Sequence, residues 1–80
     1  MAKWMKAING QYYNVNDIKT IEWKKNTSAV GASFELKCEN SRGTYVLATC
    51  ENETDKQMIT DKLETFMKNE DEDLIIFPKL

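Results

Sequence analysis

The chain reads as an α+β domain: an antiparallel β-meander of about five strands, one long helix packed on one face, and a short C-terminal β-strand. Three observations predict this. Turn-forming residues at Asn9-Gly10, Asn14 to Asp17 and Asn40 to Gly43 divide the first part of the chain into short runs of apolar and aromatic side chains. The stretch 53–69 changes to helical period. Finally, "EDEDLIIF" at 70–77 sets four carboxylates directly before four large apolar, β-prone side chains.

The first element is a hairpin over "WMKAINGQYYNV", with Asn9-Gly10 as the two-residue turn. Ile8 then faces Gln11, and both faces of the hairpin carry apolar groups, so pattern alone does not choose the inner one. Asn14, Asn16 and Asp17 supply the next turn. In "KTIEWKK", Ile21 and Trp23 alternate with Thr20, Glu22 and Lys24, as in a half-buried strand. "NTSAVG" at 26–31 is small and polar, the composition of a loop. Ala32, Phe34, Leu36 and Cys38 then alternate with Ser33, Glu35, Lys37 and Glu39, one face apolar and one wet. "NSRGT" predicts a three-residue loop with a glycine bulge that sets Asn40 opposite Thr44. That register places Val46 beside Cys38, Ala48 beside Leu36 and Cys50 beside Phe34. It leaves Leu47 on the opposite face with Tyr45 and Thr49.

The helix starts at a cap, Asn52 with Asp55 or Thr54 with Gln57. Ile59, Leu63, Phe66 and Met67 form one apolar stripe, which packs on the face bearing Phe34, Leu36, Cys38, Val46 and Ala48. Asn69 suits a left-handed C-terminal cap. All 80 residues are read as one domain, 1–80, with strands near 3–8, 11–15, 19–25, 32–39 and 44–51, a helix over 53–69 and a last strand over 73–77.

Composition excludes several kinds of chemistry. With 41% hydrophobic and 30% charged residues the chain is an ordinary globular one. A formal charge of −2 and a single arginine, Arg42, leave no positive field for a phosphate backbone or an anionic membrane. The aromatic residues on predicted strands could stack bases, but the only local basic cluster is Lys19, Lys24 and Lys25, so nucleic-acid binding is disfavoured. The three glycines stand alone at 10, 31 and 43, without a phosphate-cradling motif. There is no histidine, which removes histidine-dependent hydrolysis and the commonest zinc ligand. Cys38 and Cys50 lie four positions apart along the predicted apolar face, about 3.3 Å per position, beyond the reach of a disulfide; both read as buried thiols of a reduced compartment. The N-terminal "MAKWMKAIN" lacks the apolar core of a secretory leader, and no run is long enough to cross a bilayer.

Two segments remain as candidate sites. Leu74, Ile75, Ile76 and Phe77 form an interface candidate: an apolar strand that completes its own sheet, adds to a second copy, or docks on another protein. Its unbroken apolar run implies burial on both faces. Glu70, Asp71, Glu72 and Asp73 form an acidic contact candidate; they lack the alternate spacing and glycine turn of a calcium loop, and they lie at the unfavourable end of the helix dipole. No catalytic residue, metal or cofactor is expected. The expectation is a small non-enzymatic interaction protein, bacterial or phage in origin and cytoplasmic, acting as a homo-oligomer such as a homodimer or as an accessory subunit, with no membrane partner. The alternatives are an acidic inhibitor or nucleic-acid mimic that fills a basic groove, and a small-ligand carrier.

Overall fold

The computed structural model describes residues 3–29 and 31–79, and in it the strands divide between two three-stranded sheets. The elements in chain order are β1 (Trp4–Lys6), β2 (Tyr12–Asn14), a single 3₁₀ turn (Val15–Asp17), β3 (Ile18–Ser28), β4 (Gly31–Asn40), β5 (Gly43–Cys50), α1 (Glu53–Lys68) and β6 (Leu74–Ile76). One sheet has the order β3-β4-β5 and is antiparallel throughout; the other has the order β2-β1-β6. The α+β class with meander-like strands holds, and the 3₁₀ turn marks where the expected single sheet breaks in two. Asn14 Oδ1 accepts from Asn16 N at 2.9 Å and caps that turn, so the chain leaves the first hairpin without pairing β2 to β3.

The two hairpin turns exchange the loop lengths expected of them. Ala7 N donates to Gln11 O at 2.9 Å and Gly10 N to Ala7 O at 2.9 Å, so the first loop has three residues, with Gly10 at φ +87°. The pairing is therefore Trp4 to Asn14, Met5 to Tyr13 and Lys6 to Tyr12, one residue away from the expected register. A slip of one inverts which residues share a face. It places Met5, Ala7 and Tyr13 together in the core. In the second hairpin Asn40 pairs with Gly43 rather than Thr44, because Asn40 Oδ1 accepts from both Arg42 N (2.8 Å) and Gly43 N (3.2 Å) and tightens the loop to two residues. A bulge at Leu47 then restores the expected pairs of Leu36 with Ala48 and Phe34 with Cys50.

That bulge corrects one face assignment. Leu47, expected opposite the helix, is fully buried, while Val46 is only half-buried and Cys38 pairs with Tyr45. The carbonyl of Leu47 accepts from Ile8 N at 3.0 Å, so the bulge joins the two sheets, and the Tyr13 and Tyr45 rings meet at 5.0 Å across the same seam. The loop expected at 26–31 is mostly strand: β3 pairs to β4 as far as Ser28 with Gly31, with Asn26 donating to Glu35 Oε1. The connection narrows to positions 29 and 30, of which Val30 lies outside the described residues.

Asn52 caps α1 as expected, its Oδ1 accepting from Asp55 N at 2.7 Å. Ile59 and Phe66 are buried and Leu63 is half-buried, but Met67 faces solvent. Trp23 on β3 donates its indole N–H to Thr60 Oγ1 at 3.0 Å, fixing α1 to the larger sheet. One core cluster takes residues from both sheets, the helix and the tail, with Met5, Leu36, Leu47, Ile59 and Phe66 among its fully buried members. Among the described residues, no helix is long and apolar enough to cross a membrane.

Candidate interaction surface

The tail completes the smaller sheet of its own chain. β6 lies parallel to β1, with Trp4 beside Leu74, Met5 beside Ile75 and Lys6 beside Ile76; Trp4 N donates to Asp73 O (2.8 Å) and Phe77 N to Lys6 O (3.1 Å). Of the four interface candidates only alternate ones are covered. Ile75 and Phe77 are buried in the core, while Leu74 is 44% and Ile76 52% exposed. The apolar run is thus buried on one face only. Its inner residues are structural and its outer ones are free for contact.

The register places these outer side chains in a grid. On the outward face of β2-β1-β6, one row reads Asn14, Trp4, Leu74 and the next Tyr12, Lys6, Ile76. Trp4 is 41% and Tyr12 54% exposed. Four of the six positions are therefore large apolar groups open to water, side by side at strand spacing of about 4.8 Å. A contiguous apolar patch on a small protein marks a contact surface more often than scattered exposed residues do. Lys6 is half-buried at the centre, its ammonium 5.6 Å from the Tyr12 ring centroid. β6 is an outer strand of this sheet, and Lys62 from α1 donates to its Ile76 carbonyl at 3.1 Å.

The acidic contact candidates stand at one end of this grid. Glu70, Asp71, Glu72 and Asp73 are all exposed, and none has an ion-pair partner among the described residues. Asn69 organises their backbone: its Oδ1 accepts from Asp71 N (2.9 Å) and its carbonyl from Glu72 N (3.3 Å). Asn69 itself is extended at φ −91°, ψ 109°, not left-handed as expected. The reason is Lys3, whose ammonium donates to the carbonyls of Phe66 (2.7 Å), Asn69 (2.5 Å) and Glu72 (2.9 Å). A cation there satisfies helix-end acceptors that a left-handed cap would otherwise serve, and offsets the unfavourable placement of the carboxylates. Sequence pattern offered no signal for Lys3, because its acceptors lie 63 to 69 positions away.

Cys38 and Cys50 are free and buried. Burial pushes both thiols above their ordinary 9.0, against smaller lowering contributions from backbone hydrogen bonds. Neither thiol has the character of a nucleophile. Among the described residues, no three His, Cys, Asp or Glu side chains converge as a metal site would need. No family model matches the chain, and no curated protein or solved structure is significantly similar to it.

Proposed function

We propose that this is a non-enzymatic interaction protein that works as a homodimer, with the outward face of β2-β1-β6 as its contact surface. The observation that carries the reading is the grid in which Trp4, Tyr12, Leu74 and Ile76 stand exposed together. A second copy is the occupant that the charge layout favours, because the patch has carboxylates at one end and Lys62 and Lys79 at the other, and so complements itself. A standard interface covers roughly 800 Å² per partner, about one-seventh of the 5423 Å² accessible surface. The space between α1 and the sheets is filled by Met5, Leu36, Leu47, Ile59 and Phe66, so association is favoured over carriage of a small ligand. The setting is the cytoplasm, supported by two buried cysteines left unbridged.

Light scattering across a dilution series tests this. The unmodified chain should approach twice 9.3 kDa as concentration rises. The double variant Trp4→Ser, Ile76→Ser should stay at 9.3 kDa with an unchanged far-ultraviolet circular dichroism spectrum, because both side chains point away from the core. Equal masses for the two proteins at every concentration would remove this face from consideration.

A further inference from the structure

β6 lies at the margin of its sheet, and two bonds fix the direction of its backbone groups. Trp4 N donates to Asp73 O at 2.8 Å and Phe77 N to Lys6 O at 3.1 Å. In a parallel ladder the groups that face the neighbouring strand belong to alternate residues, so 73, 75 and 77 turn to β1 while 74 and 76 turn to the open edge. Lys62 Nζ agrees with this direction, since it reaches Ile76 O from α1 at 3.1 Å. Leu74 N–H, Leu74 C=O and Ile76 N–H take part in no hydrogen bond among the described residues. A row of unpaired main-chain groups on an outer strand is a template for a further strand.

That edge opens on a groove of about 520 Å³ between β6 and α1, with Asp61, Lys62 and Thr65 on the helical wall and Glu72 just before the strand. The groove is acidic. Asp61 and Glu72 are exposed and have no ion-pair partner among the described residues, whereas the ammonium of Lys62 is held at the Ile76 carbonyl. The edges of the larger sheet differ. Its outer strand β3 carries Lys19, Lys24 and Lys25, charges of the kind that guard an edge, and β5 is tied to the first hairpin through the Leu47 carbonyl.

A strand added to β6 follows the alternation of the sheet. Residues opposite Leu74 and Ile76 stand on the outward face beside those exposed apolar side chains. A residue opposite Ile75 turns to the side on which Ile75 is buried and α1 lies, over the acidic groove. We propose that β6 is a docking edge for an extended segment of another protein, alternating apolar and basic residues, which adds antiparallel as a fourth strand of β2-β1-β6. Main-chain bonds to Leu74 and Ile76 supply the attachment, and the groove selects the basic side chains. Antiparallel addition sets one partner residue opposite Leu74 and one opposite Ile76, each giving an N–H and taking one. The Ile76 carbonyl has a second lone pair for this beside Lys62. This edge is a different surface from the outward face read as the self-association site, so either reading can fail without the other.

The probe is the blocked peptide acetyl-Lys-Val-Lys-Val-Lys-amide, titrated into the isotope-labelled full chain and followed by nuclear magnetic resonance. The Leu74 and Ile76 amides should shift and gain at least about tenfold protection from hydrogen exchange at saturation, while Ile75 and Phe77, turned to β1, keep the protection they have. The same peptide with both valines N-methylated lacks the donors that face β6 and should produce neither change. The glutamate analogue, acetyl-Glu-Val-Glu-Val-Glu-amide, should bind at least about tenfold more weakly at low salt. Leu74→Pro removes an edge donor and no bond to β1, so this variant should keep its circular dichroism spectrum and lose the peptide. Should Leu74→Pro fail to fold, the N-methylated peptide decides the same point on the unmodified chain. No response at Leu74 and Ile76 with about 5 mM peptide, or an equal response to the N-methylated form, overturns strand addition at this edge. Equal affinity for the glutamate analogue overturns the basic partner.

Discussion

Ile75 and Ile76 share a side chain, a strand and a propensity, and differ only in direction. Ile75 is 3% exposed and packs beside Met5, itself fully buried, whereas Ile76 is 52% exposed on the outward face. Truncation of each to alanine therefore measures the alternation directly. A core isoleucine cut to alanine costs about 2–5 kcal/mol, through lost transfer free energy and the cavity left behind. An exposed one costs within about 0.5 kcal/mol. A domain of this size has a net stability near 5 kcal/mol, so Ile75→Ala should leave a marginally folded protein. At roughly 4–8 °C per kcal/mol, its melting temperature should fall by about 8 °C or more, against about 4 °C at most for Ile76→Ala. Urea titration and thermal unfolding followed by tryptophan fluorescence, at protein concentrations low enough to keep the chain monomeric, give the free energies and the melting temperatures. Equal losses for the two variants, or a larger loss for Ile76→Ala, would refute the register of β6 and with it the exposed grid.

Other outcomes follow from the same geometry. Removing residues 74–80 deletes the buried Ile75 and Phe77 and should cost roughly 3–6 kcal/mol, enough for circular dichroism to show little cooperative melting. Lys3→Met withdraws the donor to three carbonyls at the end of α1 and should lower stability by about 1–3 kcal/mol in urea titration. Asn52→Ala removes the cap of α1 at a cost near 1 kcal/mol, read from the same titration. The two buried thiols are held neutral in the folded chain, so unfolding releases groups that ionise near their ordinary 9.0. Their contribution is fully present at neutral pH and is lost as pH rises past about 9, because the unfolded chain then binds fewer protons than the folded one. The fall in urea midpoint above that pH should be shallower in a Cys38→Ala, Cys50→Ala variant, and Ellman's reagent should react slowly with the native wild type at neutral pH.

Local rules read this chain well where a decision was local. The cap at Asn52, the helical period through Ile59 and Phe66, and the alternation of Phe34, Leu36 and Cys38 each depend on neighbours a few positions away, and each is found in the structure. Turn composition located both tight hairpins but assigned their loop lengths the wrong way round. Asn-Gly is compatible with both a two-residue turn and the left-handed last position of a three-residue one, and the side chain of Asn40 decided the other case. The bulge at Leu47 was invisible for a different reason: it is set by the meeting of two sheets, through the bond from Ile8 N, not by its own strand. The tail was read as buried on both faces because an unbroken apolar run carries no alternation, and only its parallel pairing with β1 shows that Leu74 and Ile76 face outward. Trp4 and Tyr12 joined the candidate surface for the same reason, since they are separated from the tail in sequence and adjacent to it in the sheet.

The central claim is that a second copy covers the outward face of β2-β1-β6. A soluble paramagnetic agent, with side-chain signals followed by nuclear magnetic resonance at low and high protein concentration, tests it residue by residue. Trp4, Tyr12, Leu74 and Ile76 should relax strongly in dilute solution and become shielded as concentration rises, while Met58 and Met67, exposed on α1 at 47% and 46%, stay accessible throughout. If all six residues respond alike at both concentrations, the face is open in the assembled protein and the claim fails.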